Sequence, residues 1–405
     1  MSESDTESRR TLIGRRSFMM TAALAAAAPI MTEATLASAR LSKTGGVLPP
    51  DAVIINANEN PLGPSKAAIE AIAKIAPLGG RYDRLDEQDK FIATYAAQHG
   101  LQPENVAVFA GSSEPLHYTV LALTSPTKSL VTADPSYESP MLAASFAGAK
   151  IHKIPLTATY AHDVKAMVAA DSSAGVIYIC NPNNPTGTIT PRADILWALE
   201  NKPAGSILLV DEAYIHLSDE QDVIDQVAAG KDLIVLRTFS KIYGMAGIRC
   251  GVALGRPDLL AKLTTYGQNS MPVTALAAAN ASLADPDLVP ERRKIIGDVR
   301  RDTIAWLKSS GYKVIGDPQS NCFMIDTGRP GHSVIAAMQA KNVYIGRIWP
   351  IWPNAVRITV GTADEMGKFK TAFKTVMDGP ALAAAKNERR DPHAPAATGG
   401  QVFLS

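Results

Sequence analysis

Lys241 follows Ser240 at the end of an apolar run, within Arg237-Thr-Phe-Ser-Lys-Ile-Tyr-Gly-Met-Ala-Gly-Ile-Arg-Cys-Gly251, and Arg249 stands eight positions further on. Most lysines are solvated surface groups. One set in an apolar, Gly-rich segment beside a bound group has its amine pKa depressed by desolvation, which makes it a nucleophile and a proton carrier. Ser240 and Arg249 offer a hydroxyl and a guanidinium fork suited to a phosphate. Asp211 closes the run Ile207-Leu-Leu-Val210. A carboxylate ending a buried strand needs a cationic partner, unless it only caps a neighbouring turn. Asn184 lies in Cys180-Asn-Pro-Asn-Asn-Pro-Thr-Gly187 and Tyr214 in Val210-Asp-Glu-Ala-Tyr214. They add an amide and a phenol, although every residue of the first segment also favours turns.

Two further segments belong with these. Ala110-Gly-Ser-Ser-Glu114 follows the apolar run 106–109 and opens a helical stretch. Ser112 and Ser113 therefore sit at the positive end of a helix, as phosphate donors or as a plain N-cap. Tyr137, in Asp134-Pro-Ser-Tyr137, is placed to stack on a planar ring or to serve as an ordinary half-buried tyrosine.

Together these groups meet the needs of pyridoxal 5′-phosphate. Lys241 holds the cofactor covalently and carries a proton to and from the substrate α-carbon, and Asp211 keeps the pyridine nitrogen protonated. Tyr214 and Asn184 hydrogen-bond the phenolic oxygen, and Tyr137 covers the ring. Ser112, Ser113, Ser240 and Arg249 take the phosphate. The expected catalytic residues are Lys241, Asp211 and Tyr214, with no metal: the sequence carries no zinc-ligand spacing.

The elements that position such a site are legible as alternation. The runs 106–109, 129–132, 176–180, 207–210, 233–237 and 250–254 read as buried strands, and 138–147 and 191–200 as helices between them, Pro191 suiting a first helical position. This predicts an α/β domain with a mainly parallel, mixed sheet, whose ligand lies beyond the carboxyl ends of the strands. After Met271 a long amphipathic helix over 290–310 and short strands at 312–315, 322–325 and 356–360 predict a smaller C-terminal α+β domain. The expected division is a leader at 1–39, an N-terminal arm at 40–70, a large cofactor-binding domain at 71–275, a small domain at 276–385 and a disordered tail at 386–405.

The chain of 405 residues is 46% hydrophobic and carries a formal net charge of +1, so it can bury a large core and shows no electrostatic footprint for nucleic acid. Cys180, Cys250 and Cys322 each sit in or beside an apolar run, as inert buried thiols do. The first forty residues are different. Gly14-Arg-Arg-Ser-Phe-Met-Met20 joins a twin arginine to a short Ala-rich apolar stretch, and Ala37-Ser-Ala39 offers a cleavage site. The pattern predicts twin-arginine export to the periplasm or beyond, with the export machinery as a partner. If the N-terminus is not a working signal, the protein is cytoplasmic. That route carries folded proteins, which suits a tightly bound cofactor.

Taken in order, Asn56-Ala-Asn-Glu-Asn-Pro61, Arg81-Tyr82, the segments around Asn184, Asp211 and Lys241, and Val356-Arg-Ile-Thr-Val-Gly-Thr362 resemble the aminotransferases of the type I pyridoxal phosphate fold, and within them the histidinol-phosphate aminotransferase branch. The resemblance spans residues 56–376. It implies transfer of an amino group from an amino donor to a 2-oxo acid acceptor in two half-reactions, within a homodimer whose active sites lie at the subunit interface. It further implies that Tyr82 reaches the cofactor phosphate of the other subunit, and that Arg357, helped by Asn184, holds the substrate α-carboxylate. Arg347 falls where this branch contacts a distal phosphate; the same side chain is able to read another acid or to pair with a nearby carboxylate. The alternative chemistry on this fold is that of a decarboxylase, lyase or amine oxidase, since the bond broken depends on an angle that the sequence does not fix.

Two departures bear on the substrate. Gln268-Asn-Ser-Met-Pro-Val273 lacks the Pro-Phe-Asn run of that branch, and Trp349-Pro-Ile-Trp-Pro353 adds two tryptophans that either line the substrate pocket or are buried for structure. Histidine is made in the cytoplasm, so export favours a donor other than histidinol phosphate.

Overall fold

The computed structural model describes residues 48–267 and 270–380. The expected leader at 1–39, the expected tail at 386–405, and Gln268 and Asn269 of the departing segment lie outside the described residues. The strands are β1 (Val53–Ile55), β2 (Val106–Phe109), β3 (Ser129–Asp134), β4 (Ile151–Pro155), β5 (Ala174–Cys180), β6 (Ile207–Asp211), β7 (Leu233–Thr238), β8 (Gly251–Gly255), β9 (Lys313–Ile315), β10 (Cys322–Asp326), β11 (Val343–Ile345) and β12 (Ala355–Thr359).

Seven of them form one sheet in the order β2-β8-β7-β6-β5-β3-β4. β3 to β7 pair in parallel, while β8 runs against both of its neighbours, β7 and β2. Every residue of β5, β6 and β7 is buried, because a sheet covered on both faces needs apolar side chains on both. Successive side chains point to opposite faces. Ile177, Ile179, Leu208, Val210, Leu233 and Val235 join one core layer, and Val176, Tyr178, Ile207, Leu209, Ile234 and Leu236 the other. The helices Ser113–Leu123, Ser139–Phe146 and Pro257–Thr264 cover the second face, and Glu87–His99 and Arg192–Asn201 the first. The result is the α/β architecture with a mainly parallel sheet that the alternation predicts.

The helix expected over 191–200 begins one residue later, with Pro191 as its N-cap. The long helix expected over 290–310 runs Leu288–Ser309. β9, β10 and β12 form an antiparallel sheet in the order β12-β10-β9. β1 pairs in parallel with β11, so the chain that enters near residue 50 is tied to the C-terminal region before it reaches the large sheet.

Candidate active site

The parallel strands deliver the loops after β2, β3, β5, β6 and β7 to one edge of the sheet, and the reversed β8 brings the residues just before it to that same edge. Gly251 at the start of β8 stands opposite both Thr238 and Phe109, which is how Arg249, Ser240 and the Gly-Ser-Ser turn come together. Arg249 donates through Nη2 to Ala110 O at 2.9 Å, and through Nη1 to Ala246 O at 2.7 Å and Ser240 Oγ at 3.4 Å. Its guanidinium lies so close to Gly111, at φ +96°, that a Cβ there would stand 2.1 Å from Nη2. Only glycine permits that approach. Ser112 is the N-cap of Ser113–Leu123 and makes no side-chain capping bond, so serine hydroxyls, main-chain amides and an arginine share one helix entrance.

Asp211 ends β6 on the same face as Tyr178 of the neighbouring strand, whose hydroxyl donates to Asp211 Oδ2 at 3.0 Å; Oδ1 accepts from the Ala213 amide at 3.2 Å. Burial pushes its carboxyl up to about 6, although both bonds and the nearby Lys241 act the other way. Lys241 Nζ donates to Asn58 O at 3.0 Å and lies 5.5 Å from the centre of the Tyr214 ring. Asn58 Nδ2 donates to the Tyr214 hydroxyl at 3.0 Å, and Thr359 hydrogen-bonds both the amide and the side chain of Asn58. Asn60 Nδ2 in turn donates to the carbonyls of Lys241 and Ile242 at 3.0 Å. The segment 56–60 therefore stitches the lysine turn to β12.

Arg357, fully buried on β12, donates through Nη1 to Asn184 Oδ1 at 2.9 Å and through Nη2 to Asn56 O at 2.7 Å. The first bond turns the Asn184 oxygen to the arginine and leaves its nitrogen as the donating end. The loop that carries Asn184 is held by Asn183, whose Oδ1 accepts from Ser136 Oγ at 2.9 Å and from the His162 ring at 3.1 Å. Arg347 donates to Glu138 Oε2 at 2.6 Å. Trp349 is buried and donates from Nε1 to Ser136 O.

Lys241, Asp211, Tyr214, Asn184, Ser240, Arg249, Ser112 and Ser113 thus stand along one sheet edge, with Arg357 joined to it through Asn184. Tyr137 is half-buried against the second core layer, at the end of β3. Tyr82 is 84% exposed, on the stretch before the helix Glu87–His99. Sequence reasoning gave no role to Asn56, Asn58, Asn60, Tyr178 or Glu138. The first three lie in a segment prominent in the sequence, and the two-residue periodicity of adjacent parallel strands points to Tyr178 once Asp211 is suspected.

The donor set fits pyridoxal 5′-phosphate. The helix entrance supplies a cradle for a dianion, the buried Asp211 carboxylate calls for a cation such as a protonated ring nitrogen, and a lysine amine lies beside it. A doubly covered, mainly parallel sheet with these groups at its carboxyl edge defines a pyridoxal phosphate enzyme of the type I fold. The family model for class I and II aminotransferases matches residues 50–373, and the chain belongs to that family. It is 31% identical over 345 residues to an aromatic amino acid aminotransferase of Cutibacterium acnes, covering 84% of this chain and 96% of that protein. It is also 32% identical over 338 residues to a histidinol-phosphate aminotransferase of Symbiobacterium thermophilum, covering 81% and 91%. The structure of a histidinol-phosphate aminotransferase from Sinorhizobium meliloti in complex with pyridoxal 5′-phosphate superposes with a TM-score of 0.76 at 24% identity, over 86% of this chain and 95% of that one. The protein is an aminotransferase, and its cofactor is pyridoxal 5′-phosphate.

Proposed function

We propose that this aminotransferase takes its amino group from an amino acid or amine other than histidinol phosphate and passes it to a 2-oxo acid, in two half-reactions at one site. The convergence of Lys241, the buried Asp211 and the Arg357–Asn184 pair at one sheet edge carries the amino transfer, and the twin arginine Arg15-Arg16 is the support for a donor other than histidinol phosphate. The bound cofactor supplies an electrophilic carbon and an electron sink. Lys241 holds and moves the proton at the substrate α-carbon. Arg357 grips the α-carboxylate with its planar fork and, with Asn184, fixes the plane in which the α-carbon presents that proton. Asp211 holds the ring-nitrogen proton, and Tyr214, oriented by Asn58, donates to the phenolic oxygen. Ser112, Ser113, Ser240 and Arg249 would hold the phosphate, and Tyr137 would cover the ring.

The same proposal includes a homodimer in which Tyr82 reaches the phosphate of the other subunit; Leu78 and Leu85, exposed on the same short stretch, support it. It also includes export of the folded, cofactor-loaded chain, for which Arg15 and Arg16 are the support.

The test is a panel of amino donors offered to the holoenzyme, read by the change in cofactor absorbance and by formation of the 2-oxo acid. Lys241→Ala should lower the rate by about 10³-fold or more. Release of carbon dioxide, consumption of oxygen, or full turnover by Lys241→Ala contradicts the reading. Replacing Arg15 and Arg16 by lysine should keep a fused folded reporter inside the cell.

A further inference from the structure

Resting on the aminotransferase reading, we propose that Glu138 is a specificity-determining residue: by occupying Arg347 it turns the donor pocket against side chains that end in a negative charge. The juxtaposition that carries this is a chain of four groups. Two arginines lie against Trp349, with the Arg347 guanidinium carbon 4.4 Å and that of Arg357 5.5 Å from the indole ring centre. The two guanidinium groups are therefore separated by no more than the sum of those distances. If Arg357 grips the α-carboxylate, Arg347 faces the far end of the donor's side chain.

Arg347 is the natural counter-charge for a distal phosphate or carboxylate. Here its guanidinium carbon lies over the Trp349 ring and its Nη1 donates to Glu138 Oε2 at 2.6 Å. Glu138 is the N-cap of Ser139–Phe146, where an acidic side chain is normally turned back onto the first helical amides. It makes no capping bond and reaches across 209 residues of sequence to Arg347. Of the pair, Arg347 is the more enclosed, with a side chain 13% exposed against 37% for Glu138, so an approaching group meets the carboxylate first. A distal anion would have to displace Glu138 or lie beside it with like charge in a partly desolvated pocket, and both are unfavourable. A donor whose side chain ends without a negative charge leaves the pair intact. The class assigned to the donor is therefore an amino acid whose side chain carries no negative charge, and the device is a built-in repulsion rather than an added attraction.

The experiment measures the donor half-reaction of the holoenzyme by its absorbance change, with no acceptor present, for phenylalanine and for histidinol phosphate. Wild-type enzyme should prefer phenylalanine in kcat/KM. Glu138→Gln should move the ratio by about tenfold or more toward histidinol phosphate, because it removes the repelling charge beside Arg347. Adding Arg347→Ala to Glu138→Gln should cancel that gain, and Glu138→Asp should keep the ratio within about threefold of wild type. A wild type that prefers histidinol phosphate, or a Glu138→Gln ratio within about threefold of wild type, overturns the proposal. Failure of wild type to react with any amino donor instead contradicts the aminotransferase reading on which it rests.

Discussion

Asp211 and Glu212 are consecutive carboxylates, and the two-residue period of β6 sends them to opposite faces. Glu212 enters the first core layer, where its Oε2 accepts from Arg237 Nε at 2.8 Å and Arg237 also bonds Asp222 and His216. Asp211 faces the site, where its direct partners are a phenol and an amide. Its folded pKa of about 6 lies above the ordinary carboxyl value, so the folded chain binds more protons than the unfolded one between the two. Stability therefore falls as pH rises through that window, by on the order of 3 kcal/mol in the absence of a counter-charge, and the loss is complete above about pH 6. A protonated ring nitrogen removes that loss. The rise in Tm on adding cofactor should thus be larger near pH 7.5 than near pH 5, and Asp211→Asn should flatten the difference. A cofactor-induced rise that does not vary with pH in wild type would place the cation elsewhere.

The loop Asn181 to Gly187 shows how an element is held for function. Gly187, at φ +71°, packs so tightly on the small antiparallel sheet that a Cβ would stand 2.4 Å from Cys322 O and 2.8 Å from Pro318 Cβ. Gly187→Ala should destabilise the protein by about 2–4 kcal/mol from left-handed strain and overpacking, seen as a lower Tm. It should also raise KM for the donor, because Asn184 and Arg357 lose their shared register. Unchanged Tm and KM would show that the loop yields freely. The loop was legible in the sequence, as were β5, β6 and β7, because buried parallel strands are continuous apolar runs ending in polar turns. β4 was missed: Ile151-His-Lys-Ile-Pro155 is an edge strand with intermediate and exposed positions and no apolar run. β1 and β11 are three residues each and exist through pairing with one another across the length of the chain. The segment of Asn58 stands out in the sequence, but the role of that side chain was illegible for a related reason. Its contacts to Tyr214, Lys241 and Thr359 span 156 to 301 residues, and no local pattern encodes them.

At the scale of the whole molecule, acid stability is set by imidazoles held neutral. His117 and His162 are buried, and burial lowers each ring pKa to about 4; burial first, then the charge of Arg237, does the same for His99. His216 is held well below the ordinary value, by burial and by the same arginine. His162 hydrogen-bonds Asn183 and His117 hydrogen-bonds Ser139, so protonation would charge rings that hold the Asn184 loop and the helix behind Glu138. Their folded pKa values lie below the ordinary 6.5, so between about pH 6.5 and pH 4 the unfolded chain binds more protons and stability falls as pH falls. Asp211 works against this trend over the same window, but it is one group against several. Below about pH 4 the carboxylates take over, since Arg192 and Gln226 hold Asp225, and Arg256 and Lys202 hold Asp232, below the ordinary range, and their protonation removes those bonds. Tm followed by calorimetry should therefore decline from about pH 6.5 downward rather than from about pH 4. His162→Gln, which keeps a donor for Asn183, should make the slope between about pH 6.5 and pH 4 shallower by that one ring's share and leave the decline below about pH 4 in place. A wild-type Tm that stays level down to about pH 4.5 would mean that these rings titrate without unfolding the chain.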